Sequence, residues 1–316
     1  MTDGAMRTLR FHGYGEPAVV LRLEAAEVPI PQAGHVRVRV EACGLNPADW
    51  ALCRGFMAGD LPRGVGLDVA GVVEALGEGV SDVTVGDRVL GVPDFRGYPT
   101  AGAADRAALM IWTKIPQGLG FVAASALPMA VETASRCLDR LEPVTGRTLL
   151  IYGAGAMMGF AAVQMAIMRG ARVIAAAGDT FARELEGFGA TVTPYGEGMV
   201  ERVREICGGA PDLILDVAPV DDALPALIEV AGGDPQRIVS VRGHLPGGAA
   251  LGVRHSFAAL RYDALPEFAA LAAEGRFRIP IARTFPLQDW REAMDLSLSG
   301  HAHGKLVLLP QRADRD

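Results

Sequence analysis

The sequence predicts a two-part fold, β-rich at its N-terminal end and α/β with a buried parallel sheet in its middle. Three observations carry that expectation. Between residues 7 and 116, short β-branched runs alternate with Gly/Pro loops, as in a small barrel or curled sheet. Beyond 117, short continuous apolar runs alternate with helix-like segments, which implies βαβ units around a buried sheet. At 149–166, LLIYGAGAMMGFAAVQMA passes from an apolar strand through glycines 153, 155 and 159 into an apolar helix. That is the layout of a dinucleotide-binding turn.

The elements follow in order. HVRVRVEACG (35–44) alternates apolar and polar residues at period two, as a half-buried strand does. DVAGVVEALG (68–77) and DRVLGV (87–92) are short strands bounded by glycines, and VSDVTVGDRV places a turn between them. SALPMAVETASRCLDRL (125–141) reads as a helix with Pro128 near its start. Then TLLIYG leads to a helix at 157–169, ARVIAAAG to one at 180–188, TVTPY to one at 198–207, and DLILDVA to one at 221–231; RIVSVRG ends the run. The remainder holds a helix in YDALPEFAALAAEG, an extended piece, a helix in QDWREAMDLSLSG and a last strand in GKLVLLP. This return packs on either of the two preceding regions, and its pattern alone does not choose between them.

Composition removes several classes. The 316 residues are 50% hydrophobic and 21% charged, a globular balance long enough for two domains. The net charge of −7, without a Lys/Arg block, argues against a nucleic-acid partner. The four cysteines form no C-x-x-C pair, so neither a disulfide framework nor a cysteine-rich zinc lobe is expected. The N-terminal stretch has no long apolar core of a secretory signal, and a cytoplasmic location is expected. Residues 149–168 are uncharged and long enough to span a bilayer, but three glycines and Gln164 interrupt them. A buried strand, turn and helix explain them better, and no membrane partner is expected.

Read together, GLNPADW (44–50), GLDVAGVVEALGEGV (66–80), VGDRVLGV (85–92), ALPMAVETA (126–134), GAGAMMGFAAVQMA (153–166) and IARTFPLQDWREAMDLSLSGHAHGKLVLLP (281–310) resemble the medium-chain dehydrogenase/reductase superfamily, in its zinc-free NADPH:quinone oxidoreductase branch. The resemblance implies a GroES-like catalytic domain (1–118), an inserted Rossmann domain with a doubly wound parallel sheet (119–258) and a C-terminal return (259–316) that completes the former. It implies a homodimer with cofactor and a small-molecule substrate in the interdomain cleft. Zinc-dependent relatives would place ligands at positions that here are Asn46, Leu67 and Asp68. Leu67 has no lone pair, so no metal is expected.

By the same resemblance Asn46 and Thr133 lie beside the nicotinamide. From the residues alone, Asn46 is also an Asn-Pro turn former, and Thr133 also a helix hydroxyl bonded to its own backbone. The cofactor site is expected to use Gly153, Ala154, Gly155, Ala156, Met157 and Met158, with Gly178, Arg183, Tyr195, Val241, Arg242 and Lys305. The loop departs from the family pattern G-A-S-G-G-V-G: Ala156, Met157 and Met158 replace two glycines and a valine. The second strand ends in alanines and lacks the acid that would hold an NAD ribose, while the family lysine falls on Phe181. Arg183 either stands in as the cation for a 2′-phosphate or is a surface residue of its helix, and NADP is expected over NAD. Lys305 either touches the cofactor phosphate or caps the domain surface. Two activities are compatible with this chain: reduction of a quinone or an α,β-unsaturated carbonyl by NADPH, or a cofactor-independent cyclisation, isomerisation or binding of a bulky apolar metabolite. A pure interaction role is the third option.

Overall fold

The computed structural model describes residues 4–218, 223–241, 246–256 and 259–311. Arg242 and His244 lie outside the described residues. In chain order the first part carries β1 (Ala5–Phe11), α1 (Pro17–Val20), β2 (Leu21–Glu27), β3 (Val36–Gly44), α2 (Pro47–Cys53), β4 (Arg63–Gly64), β5 (Asp68–Leu76), β6 (Arg88–Pro93), β7 (Arg106–Lys114) and α3 (Phe121–Ala124). Helix α4 (Pro128–Leu141) opens the alternating part: β8 (Thr148–Tyr152), α5 (Met157–Met168), β9 (Arg172–Ala176), α6 (Ala182–Gly187), β10 (Thr191–Thr193), α7 (Met199–Cys207), β11 (Leu213–Asp216), α8 (Leu224–Val230), β12 (Ile238–Ser240), α9 (Pro246–Ala250) and β13 (Arg254–His255). The chain ends with α10 (Leu265–Ala273), β14 (Ile281–Pro286), α11 (Trp290–Leu298) and β15 (Lys305–Leu309).

Two compact units result, 1–129 with 265–316, and 130–264. The resemblance puts these junctions at 118/119 and 258/259. The Met129 N–H is bonded to Asp68 of the first unit, and the Arg261 N–H to Glu132 of the second.

In the first unit, β3 buries Val36, Val38 and Val40 while Arg37, Arg39 and Glu41 stay half-exposed, the alternation that the sequence shows. One edge of β3 pairs with β5 and the other with β7. Because β5 pairs with β6 and β6 with β7, the four strands close into a ring. Closure leaves no open edge along that ring. Strand β15 adds to β3 through Val307↔Gly44 and Leu308↔Cys43. Phe285, Leu287, Trp290 and Met294 of the C-terminal return join Val38, Val40, Val69 and Leu109 in one core. The return therefore packs on the N-terminal unit, the alternative that the sequence pattern left open.

Helix α2 was not legible as a helix. Asn46 has extended dihedrals (φ −132, ψ 153), Pro47 takes the first helical position, and the Asp49 carboxylate accepts the Asn46 N–H at 2.7 Å.

The second unit is a six-stranded parallel sheet in the order β10-β9-β8-β11-β12-β13. Its first strand, β8, lies beside the fourth, β11, so the winding reverses between them. Leu150, Ile174, Ile214 and Ile238, one from each central strand, meet Val203, Leu224, Leu227 and Val230 of α7 and α8. Helix α5 is buried from Gly159 to Ala166, which accounts for its lack of charged residues, and its one buried polar side chain, Gln164, donates to the Phe160 carbonyl at 3.1 Å. Among the described residues no helix is long and apolar enough to cross a membrane.

Candidate active site

The turn after β8 has the geometry of a phosphate cradle. Gly153 has φ +86, and a Cβ there would lie 2.8 Å from the Ala218 nitrogen. A Cβ on Gly159 would lie 2.3 Å from the Gly153 oxygen. These two glycines therefore make the tight turn and the helix–strand contact. A Cβ on Gly155 would meet only Ala177, at 3.8 Å, so this backbone borders open space. Ala156 is the N-cap of α5 and contributes no side-chain bond. The first-turn N–H groups, beginning at Met157, Met158 and Gly159, are thereby left for an anion at the positive end of the helix. Met157 and Met158 are half-buried, and Ala154 is fully buried. This cradle fits a dinucleotide pyrophosphate.

The rest of the sheet's C-terminal edge is consistent with such a ligand. Tyr152, Ala176, Asp216 and Ser240 are in register. The buried Asp216 accepts the Ser240 hydroxyl at 2.7 Å and the Ala218 N–H at 3.1 Å, which ties the strand that follows the reversal to its neighbour. Tyr195 is 57% exposed, stands edge-on to Tyr152, and brings its hydroxyl to 3.4 Å from where a Gly178 Cβ would sit. Arg183 is exposed, and its guanidinium makes no hydrogen bond or ion pair to a described residue. Phe181 is buried edge-on against Phe160, so the position of the family lysine has been turned into core. Val241 follows β12 and donates its N–H to the Asp216 carbonyl.

Thr133, on α4, is 9% exposed and donates its hydroxyl to Glu132 at 3.0 Å rather than to its own backbone. The same carboxylate takes two bonds from Arg136, at 2.6 and 3.1 Å, and the Arg261 N–H at 3.1 Å. Burial alone would lower the pKa of Arg136; its bonds to Glu132 more than offset that and raise it. With its hydrogen committed to Glu132, Thr133 has only lone pairs to offer.

The first unit holds a second polar group. Asn46 is 7% exposed, Asp68 0% and Lys305 3%. The Lys305 ammonium donates to Asn46 Oδ1 at 2.6 Å and to Asp68 Oδ2 at 2.8 Å. Asn46 Nδ2 donates to the same Asp68 oxygen at 3.0 Å, and the other Asp68 oxygen accepts the Met129 N–H at 2.9 Å. Asp49 lies alongside with its oxygens on the Asn46 and Gly66 N–H groups. Burial pushes its pKa up to about 7, against those two bonds, which pull it down. Burial, followed by Asp49 and Asp68, also drives the Cys43 thiol upward, so this cysteine is held protonated.

Lys305 thus corrects an expectation. It is a buried partner of Asp68 and Asn46, not a surface cap, and both bonds of its ammonium lie within its own unit. The signal existed in sequence only as an isolated lysine before an apolar strand. The Glu132–Arg136 pair, spaced i,i+4 within ETASR, and the acid closing DLILDVA were legible as patterns but were not read as site residues.

Residues 32–134 match the alcohol dehydrogenase GroES-like domain, and residues 188–308 match the zinc-binding dehydrogenase domain. The chain belongs to the medium-chain dehydrogenase/reductase superfamily, in its quinone oxidoreductase-like branch. Within the superfamily, it is 37% identical over 180 residues to a quinone oxidoreductase of Sus scrofa, a match spanning 55% of this chain and 53% of that enzyme. It thus spans about half the length of that relative. It is 27% identical to a chloroplast envelope quinone oxidoreductase homolog of Arabidopsis thaliana, over 98% of this chain and 100% of that one. The solved quinone oxidoreductase of Coxiella burnetii superposes with a TM-score of 0.82 at 26% identity, covering 97% of this chain and 100% of that one.

One matched domain is described as zinc-binding, and the residues here do not fit that ion. Leu67 offers hydrocarbon, the Lys305 ammonium holds Asn46 Oδ1 and one Asp68 oxygen, and the Met129 N–H holds the other.

Proposed function

We propose that this chain is a zinc-independent reductase that uses NADPH to reduce a quinone or an α,β-unsaturated carbonyl compound. The observation that carries this reading is the cradle at 153–159: two glycines required by close contacts, a third facing open space, and an uncapped helix N-terminus where the sheet reverses. The quinone oxidoreductases among its relatives supply the substrate class.

Each group then has a task. The α5 N-terminus receives the pyrophosphate, Gly178 and Tyr195 border the adenosine, and Arg183 meets the 2′-phosphate. Thr133 accepts a hydrogen bond from the nicotinamide carboxamide, because its own hydrogen is held by Glu132. Asn46 accepts from a hydroxyl through its remaining Oδ1 lone pair. When bound, the nicotinamide supplies the hydride, and the charge that then develops on a conjugated oxygen needs no metal. The working form is a cytoplasmic homodimer.

Titration of the purified protein with NADPH and, separately, NADH tests the reading, followed by turnover on a quinone and enone panel. Micromolar NADPH binding with NADPH-dependent turnover is expected. Absence of binding at millimolar cofactor would sink it. That outcome would favour the second reading, a non-redox step on a bulky apolar metabolite, which Met157, Met158, Phe181 and Ala103 together motivate.

A further inference from the structure

The buried group in the first unit contains more charge than stability requires. Replacing a buried ion pair by well-packed apolar residues is often neutral or stabilising, so a Lys–Asp pair at 3% and 0% exposure calls for another role. The chain also makes room for it. A Cβ on Gly44 would lie 2.9 Å from Lys305 Cε and 2.2 Å from the Ser125 oxygen. The glycine lets the lysine stem pass between β3 and the segment before α4.

Hydrogen-bond accounting shows what the pair does to Asn46. A side-chain amide has two acceptor sites on oxygen and two hydrogens on nitrogen. The ammonium takes one site on Oδ1, and Asp68 takes one hydrogen of Nδ2, while the Gly44 oxygen lies at 3.5 Å from that nitrogen. A flipped amide would set its NH2 against the ammonium and its oxygen against the carboxylate, so only one orientation is satisfied. Asp68 is fixed in turn by Lys305 on one oxygen and by the Met129 N–H, in the first turn of α4, on the other.

The geometry points to Asp68 and Lys305 as positioning residues that act through Asn46: the pair locks the amide with one oxygen lone pair left, so that Asn46 meets its ligand as an acceptor and selects a hydroxyl rather than a carbonyl. This rests on the placement of Asn46 at the cofactor given above.

The test is a coupling cycle. Lys305→Met alone leaves a buried carboxylate unpaired and can fail to fold, so the variant used is Lys305→Met/Asp68→Asn, which removes both charges and keeps an acceptor for Met129. It is compared with Asn46→Ala and with the triple variant. Asn46→Ala and the double variant are each expected to lower kcat/KM by about 10- to 100-fold, the loss that follows from a misplaced contact. The triple variant should fall little further, because residues acting through one another are not additive. Multiplied losses would overturn the proposal and leave the Asn46 placement standing. An unchanged kcat/KM in Asn46→Ala would overturn both. If the unaltered chain binds no NADPH, the reductase reading has failed, and the coupling is read from the Asn46 side-chain amide resonances in the ligand-free protein. Those signals, assigned by their loss in Asn46→Ala, should move in the double variant; unmoved signals would overturn the pair's positioning role.

Discussion

The two polar centres of this molecule are built in opposite ways. The cradle in the second unit is contiguous: residues 153–159 contain its turn, its close contacts and its helix N-terminus. The cluster in the first unit gathers Asn46, Asp68, Met129 and Lys305, the outermost of which are 259 positions apart. The cradle works through backbone N–H groups and the absence of side chains. The cluster works through charged side chains taken out of water. The cradle is broken by an added Cβ at Gly153 or Gly159, whereas the cluster is broken by the loss of one charged partner.

That contrast is sharpest at Lys305. Lys305→Met should destabilise the protein by about 3–5 kcal/mol in chemical denaturation, since it leaves Asp68 buried and unpaired. A loss within experimental error would mean that water or another group reaches the carboxylate. Asp49 probes the same cluster through pH. Its folded pKa, about 7, is raised above the unfolded value near 4, so its contribution is fully present below about pH 4 and is lost as pH rises through 7. Asp49→Asn lacks this titration. Its stability relative to the unaltered protein should therefore improve between pH 4 and 7, by up to about 4 kcal/mol. A flat difference across that range would show that Asp49 titrates normally.

The cradle should respond to smaller changes. Gly159→Ala forces the turn off α5, because its Cβ would meet the Gly153 oxygen at 2.3 Å. A cost of about 1–3 kcal/mol in stability is expected, together with weaker NADPH binding by titration. Met157→Gly restores the family pattern at that position and should tighten NADPH binding; unchanged affinity would show that this side chain faces away from the phosphates. Arg183→Ala should have the least effect, a loss of about 0.2–1 kcal/mol in NADPH affinity with NADH unaffected, as for an exposed ionic contact. Equal losses for both cofactors would remove Arg183 from the 2′-phosphate.

The same contrast explains what was legible. The period-two alternation of β3 and the short apolar strands β8, β9 and β11 follow from local pattern, and so do the roles of Gly153 and Gly159. Helix α2 was hidden because it is short and its start, Asn46-Pro47, reads equally as a turn. Thr133 was legible as a hydroxyl on a helix, but its bond to Glu132 depends on a rotamer that no spacing reveals. The burial of Lys305 beside Asp68 was not legible, because an isolated lysine is usually a solvated one.

By itself the sequence determined the periodicities, the alternation of strands and helices in the middle of the chain, the glycine turn and the lack of a ligand atom at Leu67. These are local, since each depends on neighbours within a few residues. The C-terminal return completes the first unit, as the resemblance implied and the residue pattern alone did not; only the tertiary structure decided that β3 closes a ring with β5 and β7 and that Lys305 reaches Asn46 and Asp68. Those choices rest on pairing and desolvation between segments far apart in the chain. A charge reveals its partner only when the fold has removed the water that would otherwise have served.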